Sequence, residues 1–189
     1  YYMFYTGADG SGNQRIGLAT STDLMTWVQG DSVLEVANAS EHLIEWADPS
    51  PDSAYDDAAQ LRDAFVMQDP DTANAGDWLM FFTTVSLDST PNALLGVARS
   101  HGDFKTWGDT FPLWNSYHHW RADKHYITES PQAFHRDGNW WLFHTVDGDT
   151  VWAESNAFSP ADTVDGGARW SQPQKIWQLV PPLQAANLY

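Results

Sequence analysis

An all-β fold of repeated antiparallel sheets, of the β-propeller type, is what this sequence predicts, on three observations. One aromatic strand is written three times, as "YYMFYT" (1–6), "WLMFFT" (78–83) and "WWLFHT" (140–145). A second shared segment follows each copy: "IGLATSTDLMTW" (16–27), "LGVARSHGDFKTW" (95–107) and, more faintly, "VWAESNAF" (151–158). The unit returns every 60 to 80 residues, the size of a four-stranded propeller blade. A β-sandwich is the main alternative, but it predicts no such blade-sized self-similarity.

Within the repeat, Tyr1, Trp78 and Trp140 align, then Phe4, Phe81 and Phe143, then Thr6, Thr83 and Thr145. In the second segment Gly17 matches Gly96, Ala19 matches Ala98 and Ala153, Ser21 matches Ser100 and Ser155, and Trp27 matches Trp107. Aromatic and β-branched residues at these positions suit a pleated, packed surface. A leading apolar strand precedes the second and third copies, "DAFVM" (63–67) and "PQAFH" (131–135). Each unit therefore reads as strand, turn, strand, loop, strand, then a "DLMTW"-type turn into a fourth strand. "RDGNWW" (136–141) holds the Asp-Gly pair of a tight hairpin, and "NAGDW" (74–78) is a looser version. Helical periodicity is weak everywhere, with "DDAAQLRDAF" (56–65) the one stretch suited to a turn or two of helix.

On this reading the blades run over about residues 1–45, 60–115 and 127–180. The first lacks a leading strand at its start, and a closed ring needs at least four blades, so the chain is expected to be part of a larger propeller.

Composition narrows the function. Nine Lys and Arg stand against 25 Asp and Glu, a formal charge of −16, which repels phosphate backbones and anionic headgroups. Nucleic acid and membrane surfaces are thus not expected partners. No apolar run approaches the roughly 20 residues of a membrane span, and "YYMFYTG" lacks the basic region of a signal peptide. With no Cys, disulfides and thiolate chemistry are excluded. That leaves extracellular, periplasmic and cytoplasmic settings open, the first two weakly favoured. Eleven Trp, seven Tyr and nine Phe serve mainly as core, and their flat faces also suit sugar rings.

Among 20 Asp the chain has only five Glu, and one of these, Glu129, opens the apolar segment "ESPQAF" (129–134). The order "LRDAFVM", "WLMFFTTV", "LLGVARSHGDFKTW", "ESPQAF", "WWLFHTV" resembles the five-bladed β-propeller glycoside hydrolases of families 32 and 43 and their relatives, over nearly the whole chain. Family 32 carries an Arg-Asp-Pro motif at its second blade and a Glu-Cys motif at its third. Arg62 and Asp63 match the former, with Ala64 in place of Pro, and Glu129 matches the latter, with Ser130 in place of Cys. The resemblance implies a glycosidase acting on fructosyl, arabinosyl or xylosyl linkages of plant or microbial oligo- and polysaccharides, without a cofactor. It also implies that the third carboxylate, the nucleophile or base, lies on a strand before Tyr1, so that the chain by itself is inactive.

The chemistry has its own requirements. Glycosidic cleavage passes through an oxocarbenium-like state, so one carboxylic acid protonates the leaving oxygen while a carboxylate attacks or activates water. Glu129 and Asp63 are the candidate catalytic residues, expected at equivalent points of neighbouring blades. A pocket of low dielectric beside a second carboxylate would favour protonated Glu129. Each carboxylate also has a plain alternative as a strand-end hydrogen-bond acceptor. Arg62 either offsets the charge of Asp63 or reaches a sugar hydroxyl. Trp120 and Arg121, in the loop "YHHWRADKH" (117–125), are candidate sugar contacts at the pocket rim. His118, His119 and His125 have no compelling metal-ligand spacing, and no metal site is expected. His144 takes the place of Phe82 and Tyr5 in the repeat, as a core histidine or a substrate contact. "DPDTANAGD" (69–77) resembles a calcium loop only loosely and reads as a solvated hairpin, while Asn38 to Ser40 form a glycosylation sequon. A propeller that binds glycans or proteins without hydrolysis remains the alternative function, and a family 130-like phosphorylase a weaker third.

Overall fold

The computed structural model describes residues 1–35, 60–85, 93–115, 128–146, 150–156 and 174–178. The sequon at Asn38 and the loop holding His118, His119, Trp120, Arg121 and His125 lie outside them.

Three antiparallel sheets follow one another along the chain. The first holds β1 (Tyr2–Ala8), β2 (Gln14–Thr20) and β3 (Val28–Glu35). The second holds β4 (Leu61–Gln68), β5 (Trp78–Val85), β6 (Ala93–Ser100) and β7 (Gly108–Asn115). The third holds β8 (Thr128–Arg136), β9 (Asn139–Val146), β10 (Thr150–Asn156) and β11 (Gln174–Gln178). In every sheet the strands pair in chain order, so each is a simple meander. The described residues include no α-helix, only a 3-10 turn at Thr72–Asn74. From Leu61 onward the stretch allowed a helical turn is strand instead. Its apolar residues pack on alternate sides, which a strand satisfies and a helix does not.

β5 shows why the sheets stack. Its sequence, WLMFFTTV, is buried almost throughout, as expected of a strand covered on both faces. Met80 and Phe82 face the first sheet and pack with Ile16, Leu18, Val33 and Leu34. Leu79 and Phe81 face the third and pack with Ala133, Trp140 and Leu142. β4 alternates the same way, with Ala64 and Val66 toward the first sheet and Phe65 and Met67 toward the third. Aromatic contacts join the sheets: Phe4 meets Trp107 edge-on at 5.8 Å, and Phe81 lies 6.3 Å from Trp140.

The repeated small residues have a cross-strand cause. Gly17 sits opposite Tyr5, and a Cβ on it would come within 2.5 Å of the Tyr5 ring. Gly96 sits opposite Phe82 in the same register. An aromatic ring folded over a glycine is one way a sheet fills the gap that the glycine leaves.

The turns follow their sequences. Asp137 and Gly138 both have positive φ, 52° and 77°, the geometry of the tight Asp-Gly hairpin. In the "DLMTW" turn the Asp23 carboxylate accepts from the N–H groups of Met25 (2.9 Å) and Thr26 (2.8 Å), and the Trp27 indole donates to the Leu24 carbonyl at 3.2 Å. The second copy does the same with Asp103, Lys105 and Thr106, at 2.8 and 2.7 Å, and with Trp107 donating to Phe104 at 3.1 Å. Backbone hydrogen bonds, that of Thr26 first and that of Thr106 first, hold both carboxyls below their ordinary pKa of 3.8. The β4–β5 hairpin is exposed at Pro70, Asp71, Ala73, Ala75 and Gly76, as its sequence suggests, and among its described residues is buried only at the first. Asp69 is fully buried there and pairs with Arg99 at 3.1 Å, because a carboxylate turned into the core needs a cation.

Candidate active site

The candidate residues gather where β4 and β8 begin, and a shared irregularity places them. In β4 Arg62 pairs with Thr83 and Phe65 with Phe81, so Asp63 and Ala64 together oppose Phe82. In β8 Glu129 pairs with Thr145 and Gln132 with Phe143, so Ser130 and Pro131 together oppose His144. Each strand thus carries a bulge with one extra residue, a feature that bends the strand and redirects a side chain. Asp63 and Ser130 adopt left-handed φ values of 59° and 54°. Short polar side chains tolerate that region better than most, though at a cost. Pro131, which has no N–H to give, fits a bulge where a ladder bond is missing.

This register corrects the expected equivalence of Asp63 and Glu129. Glu129 corresponds to Arg62, and Asp63 corresponds to Ser130. Aligning the motifs on their carboxylates introduces a slip of one residue, and in a strand a one-residue slip reverses the direction of every side chain.

The two carboxylates nonetheless converge. The Arg62 guanidinium reaches Glu129 Oε1 through Nε at 3.1 Å and through Nη2 at 2.9 Å, and its Nε lies 3.9 Å from Asp63 Oδ2. Glu129 is therefore its closer partner, where the sequence points to Asp63 or a sugar hydroxyl. Asp63 is held from three sides. Its N–H donates to Thr6 Oγ1 at 3.2 Å, while its Oδ2 accepts from Thr83 Oγ1 at 3.4 Å and from the Ser130 N–H at 3.1 Å. The bond to Ser130 ties the second sheet to the residue following Glu129. Thr145 Oγ1 donates to the Glu129 carbonyl at 3.2 Å, so all three threonines of the repeat brace this cluster.

Two further residues complete the cluster without any mark in the sequence. Gln14, at the start of β2, and the buried Gln60 both present side-chain oxygens to Arg62 Nη1, the former at 3.3 Å. Neither belongs to a recognisable motif. Their only signal is position, since each stands at a strand head in line with the Arg62 bulge. Arg62 is 15% exposed, Asp63 and Glu129 30% each, so the guanidinium lies beneath two carboxylates that solvent reaches.

His144 is buried at 1% exposure opposite the Ser130–Pro131 bulge, the position of a core histidine and not of a surface contact. An open cleft of about 510 Å³ lined by Tyr1, Tyr2, Thr20, Ser21, Thr22, Thr26 and Val28 lies at the other end of the first sheet. None of the candidate residues lines it. Among the described residues no group of three or more His, Asp or Glu is arranged to hold a metal ion.

No protein-family model and no curated protein matches the sequence. Among solved structures the chain is similar to an endo-1,4-β-xylanase from Bacteroides thetaiotaomicron, at 15% identity and a TM-score of 0.44, over 98% of this chain and 71% of that one. It is also similar to a xylan β-1,4-xylosidase from Bacillus halodurans, at 13% identity and a TM-score of 0.42, over 95% of this chain and 40% of that one.

Proposed function

We propose that the chain is the acid-bearing part of a glycoside hydrolase of β-propeller architecture, its blades spanning about residues 1–45, 60–115 and 127–180. Glu129 is the proton donor, Asp63 the carboxylate that holds the donor's strand in place, and the substrate a fructosyl, arabinosyl or xylosyl glycoside of plant or microbial origin. One observation carries this reading: the heads of two neighbouring leading strands bring Asp63 and Glu129 to a single guanidinium, both partly open to solvent. Repeated face-to-face stacking of the sheets supports the propeller. Trp120 and Arg121 belong to the rim of the sugar pocket on this reading, and Asp63 is not the attacking group. Its carboxylate is engaged by Ser130 and Thr83, which suits a residue that positions its neighbour.

A specific observation favours the second reading, a sugar-binding propeller without hydrolysis: Glu129 is already satisfied by an ion pair. Glu129→Gln in the full-length protein separates the two. Glutamine keeps shape and hydrogen bonding but supplies no proton. Cleavage of a glycoside with a poor leaving group should fall by about 10²- to 10⁴-fold, and that of an activated aryl glycoside much less. Equal losses on both substrates would remove Glu129 from the donor role, and absence of hydrolysis by the wild type would favour the binder.

A further inference from the structure

Arg62 touches all three sheets. Its Nη1 is anchored on Gln14 of the first sheet and on Gln60 beside the second, and its Nε and Nη2 reach Glu129 of the third. The anchor is firm, because Gln60 is buried and its backbone carbonyl accepts from Thr84 Oγ1 at 2.8 Å. The pairing with Glu129 is looser than a guanidinium–carboxylate pair can be. Both N–H groups converge on one oxygen, Oε1, whereas the strongest such pairs use both carboxylate oxygens in parallel. Glu129 is also twice as exposed as Arg62, 30% against 15%, so the carboxylate is the partner free to leave.

A proton donor must carry a proton, and a protonated carboxyl is a poor partner for a guanidinium. We propose that Arg62 is a substrate-displaced clamp. In the empty site it holds Glu129 as an ion pair. A hydroxyl pair of the incoming glycosyl unit takes over its Nε–Nη2 edge, and Glu129, released, takes up a proton from solvent and presents it to the glycosidic oxygen. Gln14 and Gln60 keep the guanidinium in place while its partner changes. This rests on the reading of Glu129 as the donor and adds what controls its availability.

The test is binding, separate from turnover. Titrate xylobiose, arabinobiose and fructobiose by calorimetry into the full-length wild type, Glu129→Gln, Arg62→Gln and the double variant, after confirming by thermal melt that each is folded. Glu129→Gln removes the charge of the competitor for Arg62, leaving a neutral and weaker acceptor, and should tighten binding of the accepted sugar by about three- to tenfold. Arg62→Gln should weaken it by about tenfold or more, and in the double variant the gain from Glu129→Gln should vanish. Should Arg62→Gln not fold, Arg62→Lys serves, since it keeps the charge but lacks the two-pronged edge and should bind as weakly. Unchanged or weaker binding by Glu129→Gln overturns the clamp, as does failure of all three sugars to bind any variant. If Glu129→Gln still shows the leaving-group dependence described above, the donor assignment survives that result. If the dependence is missing, the donor assignment fails whatever the affinities are.

Discussion

The second and third sheets share a frame and differ at the point where chemistry is expected. Both begin with a bulged leading strand, a left-handed residue at the bulge, and a threonine opposite the residue before it. On that common backbone the second sheet places Arg62 and Asp63, and the third places Glu129 and Ser130. Because the two bulges lie side by side, the side chain at the bulge of one sheet meets the backbone of the next. Asp63 of the second receives the Ser130 N–H of the third, just as Thr6 of the first receives the Asp63 N–H of the second. The repeat thus supplies a scaffold that brings successive strand heads together, and substitution at two positions per unit supplies the charge.

The largest way to break this comparison is through the packing. Phe81 is fully buried between the second and third sheets, while its counterpart Phe143 is half-buried and stacks on the exposed Phe134 at 5.4 Å. Phe81→Ala is expected to cost about 3–5 kcal/mol and Phe143→Ala less than half as much, measured by urea unfolding. Equal losses would show that the two sheets are covered alike.

At the bulges the expected effects are smaller and opposite in sign. Asp63→Gly relieves a left-handed residue but leaves the Ser130 N–H without its acceptor, a net loss of about 1–2 kcal/mol. Ser130→Gly keeps its N–H and relieves the same backbone strain, which outweighs the unfolded-state entropy of glycine and stabilises by about 0.5 kcal/mol. Destabilisation by Ser130→Gly would mean that its hydroxyl, and not the backbone alone, holds the bulge.

The smallest effect extends the comparison to the first sheet. Asp23 and Asp103 accept the same pair of backbone N–H bonds in their turns, and these bonds lower the pKa of each below 3.8. A lowered pKa in the fold means that the unfolded chain takes up the proton first as pH falls. The stabilisation from both turns is therefore complete well above 3.8 and is lost as pH drops through the lowered values. Melting temperature followed from pH 7 to pH 3 should fall more steeply for the wild type than for Asp23→Ala or Asp103→Ala. Parallel curves would show that these turns contribute nothing.

Much of this was legible in the chain because it is local or periodic. The three aromatic strands, the Asp-Gly hairpin and the Asp-to-Trp turns each follow from residues within a few positions of one another. Gly17 and Gly96 stand out in the repeat, as do Thr6, Thr83 and Thr145, but the repeat does not show that all three threonines brace the same cluster.

The sequence by itself determined the repeated aromatic strands, the Asp-Gly and Asp-to-Trp turns, and that Asp63 and Glu129 stand at strand heads. Only the tertiary structure decided the register at the bulges, and with it that Arg62 and not Asp63 is the counterpart of Glu129. A left-handed residue leaves no mark on the polar and apolar pattern, yet it shifts every later side chain by one position. Tertiary structure also decided that Gln14, Gln60, Arg62 and Glu129 meet, because they come from three sheets and up to 115 residues apart in the chain. Their contact depends on how apolar faces stack, and residues such as Phe81 and Trp140, packed between the second and third sheets, set that distance.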